Sequence, residues 1–179
     1  DNDSYTYAPR DINRIYVKVS ARIRNIIPWN AEAPYLYTMT ATLLDAQDRE
    51  IESVPVRLGF RSVEIKNRQL LINGQPVQIN GVNRHEHDEL NGRTISEELT
   101  CRDLTVMKQF NINAIRTSHY PAAPEFYDLC DEYGFYVFDE ANIENHQFFY
   151  DLCSNPNWAN AYLDCAVRMV MRDKNNASV

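Results

Sequence analysis

The sequence predicts an α/β chain: the first three strand–helix units of a parallel TIM (β/α)8 barrel, preceded by the C-terminal strands of an immunoglobulin-like β-sandwich. The first of the observations behind this is Phe135-Tyr-Val-Phe138, a short apolar run that passes at once into Asp139-Glu140-Ala-Asn142-Ile-Glu144-Asn-His146. An apolar strand ending in acids, amides and a histidine is how the C-terminal mouth of a parallel barrel reads, because strand ends hold its chemistry. A second is that Val77–His87 and Asn113–Tyr120 share the design, closing in Asn83-Arg84-His85-Glu86-His87 and in Arg116-Thr-Ser-His119-Tyr120. A third is a change of period: residues before Gly59 alternate as strands do, whereas helical stripes separate the later strands.

Taken in order, Ile15, Val17, Val19, Ala21 and Ile23 fall on one face of a half-buried strand, broken by Pro28-Trp29-Asn30 and Pro34. A second strand is predicted from Tyr35 to Leu44, a turn at Asp45–Asp48, and a third strand from Arg49 to Leu58. Three such strands are too few for a sandwich of about seven. Val63–Ile65 and Leu70–Ile72 lead into Asn73-Gly74, a strong hairpin signal, and Pro76–Val82 is predicted as the first parallel strand. Thr94-Ile-Ser-Glu97 fits a capping box opening a helix to Gln109, with Leu99, Leu104, Val106, Met107 and Phe110 as its apolar stripe. Asn113–Thr117 is the next strand. Pro124 opens a helix with Phe126, Leu129, Cys130 and Tyr133 inward, and Gly134 stops it. After the strand Phe135–Phe138 comes a long loop to Pro156, then a helix from Trp158 to Asp173 with Trp158, Tyr162, Ala166 and Met169 on one face. A fourth parallel strand would begin near Asn175–Val179. The expected division is 1–60 for the sandwich part and 61–179 for the barrel part. Three units cannot close a barrel of about eight, so the chain is expected to be a piece of a longer protein; a small open α/β sheet is the alternative.

Composition narrows the partners. Of the 179 residues, 44% are hydrophobic and 24% charged, as in an ordinary globular protein. A net charge of −7 and a pI near 5.1 argue against nucleic acid or an anionic membrane surface. No apolar run approaches the roughly 20 residues that span a bilayer, and residues 1–10 are too polar for a signal peptide, so a cytoplasmic setting is expected. Cys101, Cys130, Cys153 and Cys165 form no C-x-x-C pair and are expected as free thiols, with a Cys153–Cys165 disulfide as the alternative. The Asn2-Asp-Ser4 and Asn176-Ala-Ser178 sequons are short enough to arise by chance.

The chemistry gathers at the strand ends. His85 and His87, two apart on an extended chain, point the same way, as ligands of a transition metal would; a hydrogen-bonded polar loop is the plain reading. His119, before Tyr120-Pro121, either packs beside the proline turn or touches a ligand in the same mouth. Asp139, Glu140 and Glu144 offer acid–base chemistry or solvated charge. Glu144 and His146 can ligate one ion, and Mg²⁺ suits a carboxylate completed by waters. Asn83, Asn142 and Tyr120 are the polar groups expected around sugar hydroxyls.

Gly81-Val-Asn-Arg-His-Glu-His87, Asn113-Ala-Ile-Arg-Thr-Ser-His-Tyr-Pro121 and Tyr136-Val-Phe-Asp-Glu-Ala-Asn-Ile-Glu144, in that order, closely resemble the large bacterial β-galactosidases of glycoside hydrolase family two. Gly59-Phe-Arg61 and Trp29-Asn-Ala-Glu-Ala-Pro-Tyr-Leu-Tyr37 resemble that family's passage from its immunoglobulin-like domain to its barrel. The resemblance implies a retaining glycosidase acting on terminal β-galactosides such as lactose. It implies that His85 and His119 contact the sugar and that Glu144 and His146 bind the active-site Mg²⁺. A monovalent cation such as Na⁺ would have its ligands outside this chain, and the parent is expected to be a homo-oligomer. His87 then loses its metal role. The family's acid/base glutamate, in an Asn-Glu pair, and its later nucleophile glutamate have no counterpart here. No catalytic residue is therefore expected within the chain, which is expected to be inactive alone. After His146, Gln147-Phe-Phe-Tyr150 departs from the glycine-containing stretch of the family. A β-glucuronidase or β-mannosidase of the same family, a zinc hydrolase using His85 and His87, and a non-enzymatic binding protein are the competing readings.

Overall fold

A computed structural model of the chain describes residues 20–179. The first predicted strand lies largely outside the described residues, and its tail at 20–23 is irregular. The strands that follow build separate sheets. β1 (Tyr37–Leu44) and β2 (Glu50–Leu58) pair antiparallel from Tyr37↔Leu58 to Leu44↔Glu50. Asp45 makes the connecting turn, its Oδ1 accepting from the Gln47 and Arg49 amides at 2.8 and 2.9 Å. Among the described residues this hairpin forms a sheet by itself, leaving Met39, Leu43, Ile51 and Val54 exposed.

β3 (Val63–Lys66), β4 (Gln69–Ile72) and β5 (Gln75–Pro76) form a small antiparallel sheet. Each of its turns has two residues at positive φ, Asn67-Arg68 (51° and 62°) and Asn73-Gly74 (53° and 76°), as tight hairpins of matching twist require. The predicted strand Pro76–Val82 is thus divided: β5 closes the antiparallel sheet, and the parallel strand β6 covers Gly81–Arg84. The side chain of Asn113 causes the break. Its Oδ1 accepts from the Asn80 amide at 2.7 Å and its Nδ2 donates to Gln78 O at 2.9 Å, which takes this backbone out of sheet pairing.

From β6 onward the chain runs strand, helix, strand. β6, β7 (Ala114–Thr117) and β8 (Tyr136–Phe138) are adjacent and parallel, with registers Gly81↔Ala114↔Tyr136 and Asn83↔Arg116↔Phe138. The helices are α1 (Glu97–Gln109), α2 (Pro124–Tyr133) and α3 (Ala159–Asp173). The N-cap of α1 is Ser96, whose Oγ accepts from the Leu99 amide at 3.1 Å, and not Thr94 of the predicted capping box. Val106 and Phe110, predicted in the apolar stripe of α1, are exposed. Pro124 opens α2, and Gly134 closes it at φ 77°, where a Cβ would lie 2.4 Å from Ala31 O. In α3 the predicted face holds except for Trp158, which belongs to a short 3₁₀ turn, Pro156–Trp158, and is exposed. All four cysteines are free, so the Cys153–Cys165 alternative is not formed. No helix among the described residues is long and apolar enough to cross a membrane.

The parallel sheet has a different core on each face. Ile115 and Val137 point to α1 and α2 and pack with Leu104, Phe126, Tyr127, Cys130 and Phe135. Ala114 and Tyr136 point the other way and pack with Trp29, Ala31, Ile72 and Ala177. Trp29 is fully buried, donating from Nε1 to Asp131 O at 2.8 Å while its carbonyl accepts from Asn73 Nδ2 at 2.9 Å. The last residues return to the sheet. The Val137 amide donates to Ser178 O at 2.8 Å, and the Asp131 carboxylate of α2 accepts from the Ala177 and Ser178 amides at 3.1 and 2.7 Å. Residues 175–179 form no strand among the described residues, and this one backbone hydrogen bond is their link to β8.

Candidate functional site

Period two in the strands sorts the polar residues as it sorts the apolar ones. Asn83, Arg116 and, past the end of β8, Glu140 share the face of Ala114 and Tyr136; Arg84, Thr117 and Asp139 share the helix face. Two polar clusters result, back to back at the C-terminal ends of the strands.

The first cluster is open. Arg116 Nη2 stands 2.7 Å from Glu140 Oε2, and Arg116 Nη1 donates to Asn83 Oδ1 at 3.5 Å. The Arg116–Glu140 contact is an ion pair without an aligned N–H, and among the described residues buried Oε2 has no directed donor. His119 Nδ1 lies 3.0 Å from Glu140 Oε1 and 3.4 Å from Arg116 Nη2. The shorter contact assigns the Nδ1 proton to the carboxylate bond, which leaves Nε2 as the nitrogen free for a ligand. The His119 ring meets His85 edge-on at 5.6 Å, and His85 stacks on His87 at 5.5 Å. Tyr120 lies 6.1 Å from His85 and its hydroxyl accepts from the Glu86 amide at 3.0 Å. The structure therefore brings His85 and His119 together, as the sequence expected, and adds Arg116 and Glu140 to them. The peptide bond before His119 is cis.

Arg84 anchors the first strand end from behind. Its buried guanidinium lies 3.3 Å from Asp103 Oδ2 and 3.8 Å from Glu86 Oε1, over the Phe126 ring at 5.1 Å. With Arg84 directed into the helix layer, its neighbour His85 is directed into the mouth.

The second cluster is closed. Asp139 Oδ1 accepts from the Tyr127 hydroxyl at 2.6 Å and from the Thr117 hydroxyl at 3.2 Å. Burial pushes the Asp139 carboxyl above the ordinary carboxylate range, the Tyr127 bond acts against this, and the Asp173 carboxyl adds to it. The Tyr127 phenol is pushed far up by burial and then by its bond to Asp139. Tyr127 lies three residues before Cys130 and so on the same face of α2, although the periodic pattern of the sequence places Phe126 beside it inward.

Glu144 and His146 are placed apart from both clusters, on the exposed loop after β8. Glu144 Oε1 accepts from the His146 amide at 3.2 Å, and the His146 ring lies 6.3 Å from Phe149. Among the described residues no three His, Cys, Asp or Glu side chains converge as a metal site would require. The Glu144 carboxylate suits a hard divalent cation completed by water, whereas the His146 imidazole is a donor that transition metals prefer.

Known proteins agree with this architecture. Residues 63–179 match the family model "Glycosyl hydrolases family 2, TIM barrel domain", and residues 3–61 match "Glycosyl hydrolases family 2". A β-galactosidase of Photobacterium profundum is 49% identical over 159 residues, 88% of this chain and 15% of that protein. One from Streptococcus thermophilus is 48% identical over 173 residues, 91% of this chain and 17% of that protein. This chain spans about one sixth of the length of such relatives. Among solved structures, a β-glucuronidase of Ruminococcus gnavus in complex with D-glucaro 1,5-lactone superposes with a TM-score of 0.78 at 30% identity, covering 87% of this chain and 27% of that one. One of Bifidobacterium dentium, complexed with coumarin-3-O-glucuronide, gives 0.75 at 33%, covering 84% and 24%. The histidine-bearing strand ends lie within a stretch that carries the barrel signature from Val63 to Val179, and on that match this chain belongs to family 2 of the glycosyl hydrolases.

Proposed function

We propose that the chain is part of a retaining β-galactosidase: the end of an immunoglobulin-like domain up to about residue 60, then the first three strand–helix units of the catalytic barrel. The observation that carries the substrate is the identity of about 50% to β-galactosidases along nearly the whole chain, against about 30% to the structurally similar β-glucuronidases. In this reading His85 and His119 hold the galactose in the mouth, with Glu140 fixing the proton on His119 Nδ1 so that Nε2 meets a sugar hydroxyl. Arg116 and Asn83 shape the floor beside it.

A retaining mechanism needs two carboxyl groups about 5–5.5 Å apart, one a nucleophile and one an acid/base. Glu140 is engaged by Arg116 and His119, and Asp139 faces the helices, so neither is offered for that pair. The two glutamates are assigned to parts of the parent protein outside these 179 residues. Glu144 and His146 are proposed as Mg²⁺ ligands; when bound, the ion would supply positive charge beside the acid/base group. Lactose or another β-galactoside is the partner proposed for the parent, which we read as a cytoplasmic homo-oligomer.

The test uses nitrophenyl glycosides. The purified chain alone is expected to hydrolyse none of them, with host enzyme excluded. A longer protein containing it is expected to prefer the β-galactoside over the β-glucuronide and β-mannoside. Hydrolysis by the chain alone, or a preference for glucuronide, overturns the proposal. Titration of Mg²⁺ into the longer protein and its His146→Ala variant, read by calorimetry, tests the ligands separately.

A further inference from the structure

The parallel ladder between β7 and β8 changes its acceptor at the mouth. The Tyr136 amide donates to Asn113 O at 2.8 Å, and a parallel pair repeats that rung every second residue. In the register Arg116↔Phe138 the last rung would join the Glu140 amide to Thr117 O. The Glu140 amide instead donates to the Thr117 hydroxyl at 2.9 Å. The Thr117 carbonyl accepts from the Tyr120 amide at 3.1 Å, closing a four-residue turn with His119 as its third residue. One residue thus serves both sides of the mouth, with its hydroxyl toward Glu140 and its carbonyl toward the His119 turn.

The hydroxyl can take this place because its proton is used elsewhere. A hydroxyl carries one proton and two lone pairs. Thr117 Oγ1 donates to Asp139 Oδ1 at 3.2 Å, which leaves a lone pair for the Glu140 amide. Asp139 Oδ1 is held in turn by the Tyr127 hydroxyl at 2.6 Å, and that hydroxyl accepts from the Ala122 amide at 2.9 Å. Thr117 is buried; without its hydroxyl, the Glu140 amide would be left with the carbonyl that the Tyr120 amide already uses.

We propose that Thr117 is a positioning residue for the pair Glu140–His119: its hydroxyl replaces its own carbonyl in the ladder, so that Glu140 and the His119 turn are set together. Glu140 Oε1 then meets His119 Nδ1 at 3.0 Å, which fixes the ring nitrogen left for a ligand.

The part that concerns sugar binding rests on the galactosidase reading; the hydrogen bonds do not, and the test reads them in the 179-residue chain itself. Couplings across hydrogen bonds, measured by NMR in the unsubstituted chain, are expected from the Tyr120 amide to the Thr117 carbonyl and absent from the Glu140 amide to that carbonyl. The reverse pattern overturns the exchange of acceptors. Thr117→Val keeps the shape and loses the hydroxyl. In it the Glu140 amide is expected to exchange with solvent about tenfold faster. His119, read by imidazole nitrogen NMR, is expected to lose its preference for the form protonated at Nδ1. Thr117→Ser restores the hydroxyl and should restore both readings. A His119 tautomer that is unchanged in Thr117→Val, or a Thr117→Ser that behaves as Thr117→Val does, overturns the positioning role. Should Thr117→Val not fold, the couplings decide alone, since without the exchange Thr117 positions neither residue. In the longer protein Thr117→Val is expected to raise KM for a nitrophenyl β-galactoside about fivefold, with kcat less affected. An unchanged KM overturns the link to sugar binding. A longer protein that cleaves no galactoside sinks the galactosidase reading and leaves the couplings and the tautomer to decide the rest.

Discussion

Arg116 Nη2 and Glu140 Oε2 stand 2.7 Å apart, tying the end of β7 to the first acid beyond β8 on the face that holds His119. The side chains are 42% and 24% exposed, so solvent screens much of the attraction. A pair this open is worth less than about 1 kcal/mol. Arg116→Ala and Glu140→Gln are each expected to lower stability by that order, with a coupling energy below about 1 kcal/mol in a double-mutant cycle by urea unfolding. On the galactosidase reading proposed above, galactoside affinity of the longer protein is expected to suffer more than its stability.

The two candidate caps of α1 can be told apart. Ser96→Ala removes the hydroxyl that receives the Leu99 amide and should cost about 1 kcal/mol. Thr94→Ala, at an exposed position before the cap, should be neutral within about 0.5 kcal/mol. Denaturant midpoints of the two variants check this, and the reverse order would restore the capping box read from the sequence.

Gly134 combines φ of 77° with a wall: a Cβ there would lie 2.4 Å from Ala31 O and 3.2 Å from the Pro34 ring. Gly134→Ala should therefore cost more than the roughly 1 kcal/mol of left-handed backbone alone. The melting temperature is expected to fall by roughly 2–4 °C for each kcal/mol.

Asp131 sets a pH slope. Burial raises its carboxyl above the ordinary value, against the opposing pull of the Ser178 and Ala177 amides. A carboxyl raised in the folded state binds its proton more tightly folded than unfolded. Its contribution is therefore fully present below the unfolded value and lost as pH rises through the folded one. Stability should fall across that window, and Asp131→Asn, which cannot titrate, should flatten part of the fall. Thermal melts at a series of pH values measure it; an unchanged slope would place the titration elsewhere.

How far the sequence could be read depended on where each contact came from. Pro124, Gly134 and Asn73-Gly74 act through local backbone preference, and their helix start, helix stop and turn appear where they were read. The division of Pro76–Val82 was hidden because it comes from the side chain of Asn113, more than thirty residues away. The placement of His85 with His119 followed from strand ends reaching one mouth. Arg116–Glu140 and Tyr127–Asp139 depend on which face each residue takes, and that face is fixed by registers such as Ala114↔Tyr136 that no single segment contains. Glu144 and His146 lie on a loop whose Gln147-Phe-Phe-Tyr150 has no periodic signal to place it.

The alternation of faces along β6, β7 and β8 gives the molecule two sets of residues open to independent evolutionary change. On the sugar-binding reading proposed above, substitutions at Asn83, Arg116 or Glu140 can retune what the mouth accepts while Arg84, Asp139 and the helix packing stay as they are. Thr117 is where that independence ends, since its one hydroxyl touches Asp139 on one side and the Glu140 backbone on the other. Drift at Thr117 would be felt by heat resistance and by ligand choice together, which makes it the position where selection for either trait constrains the other.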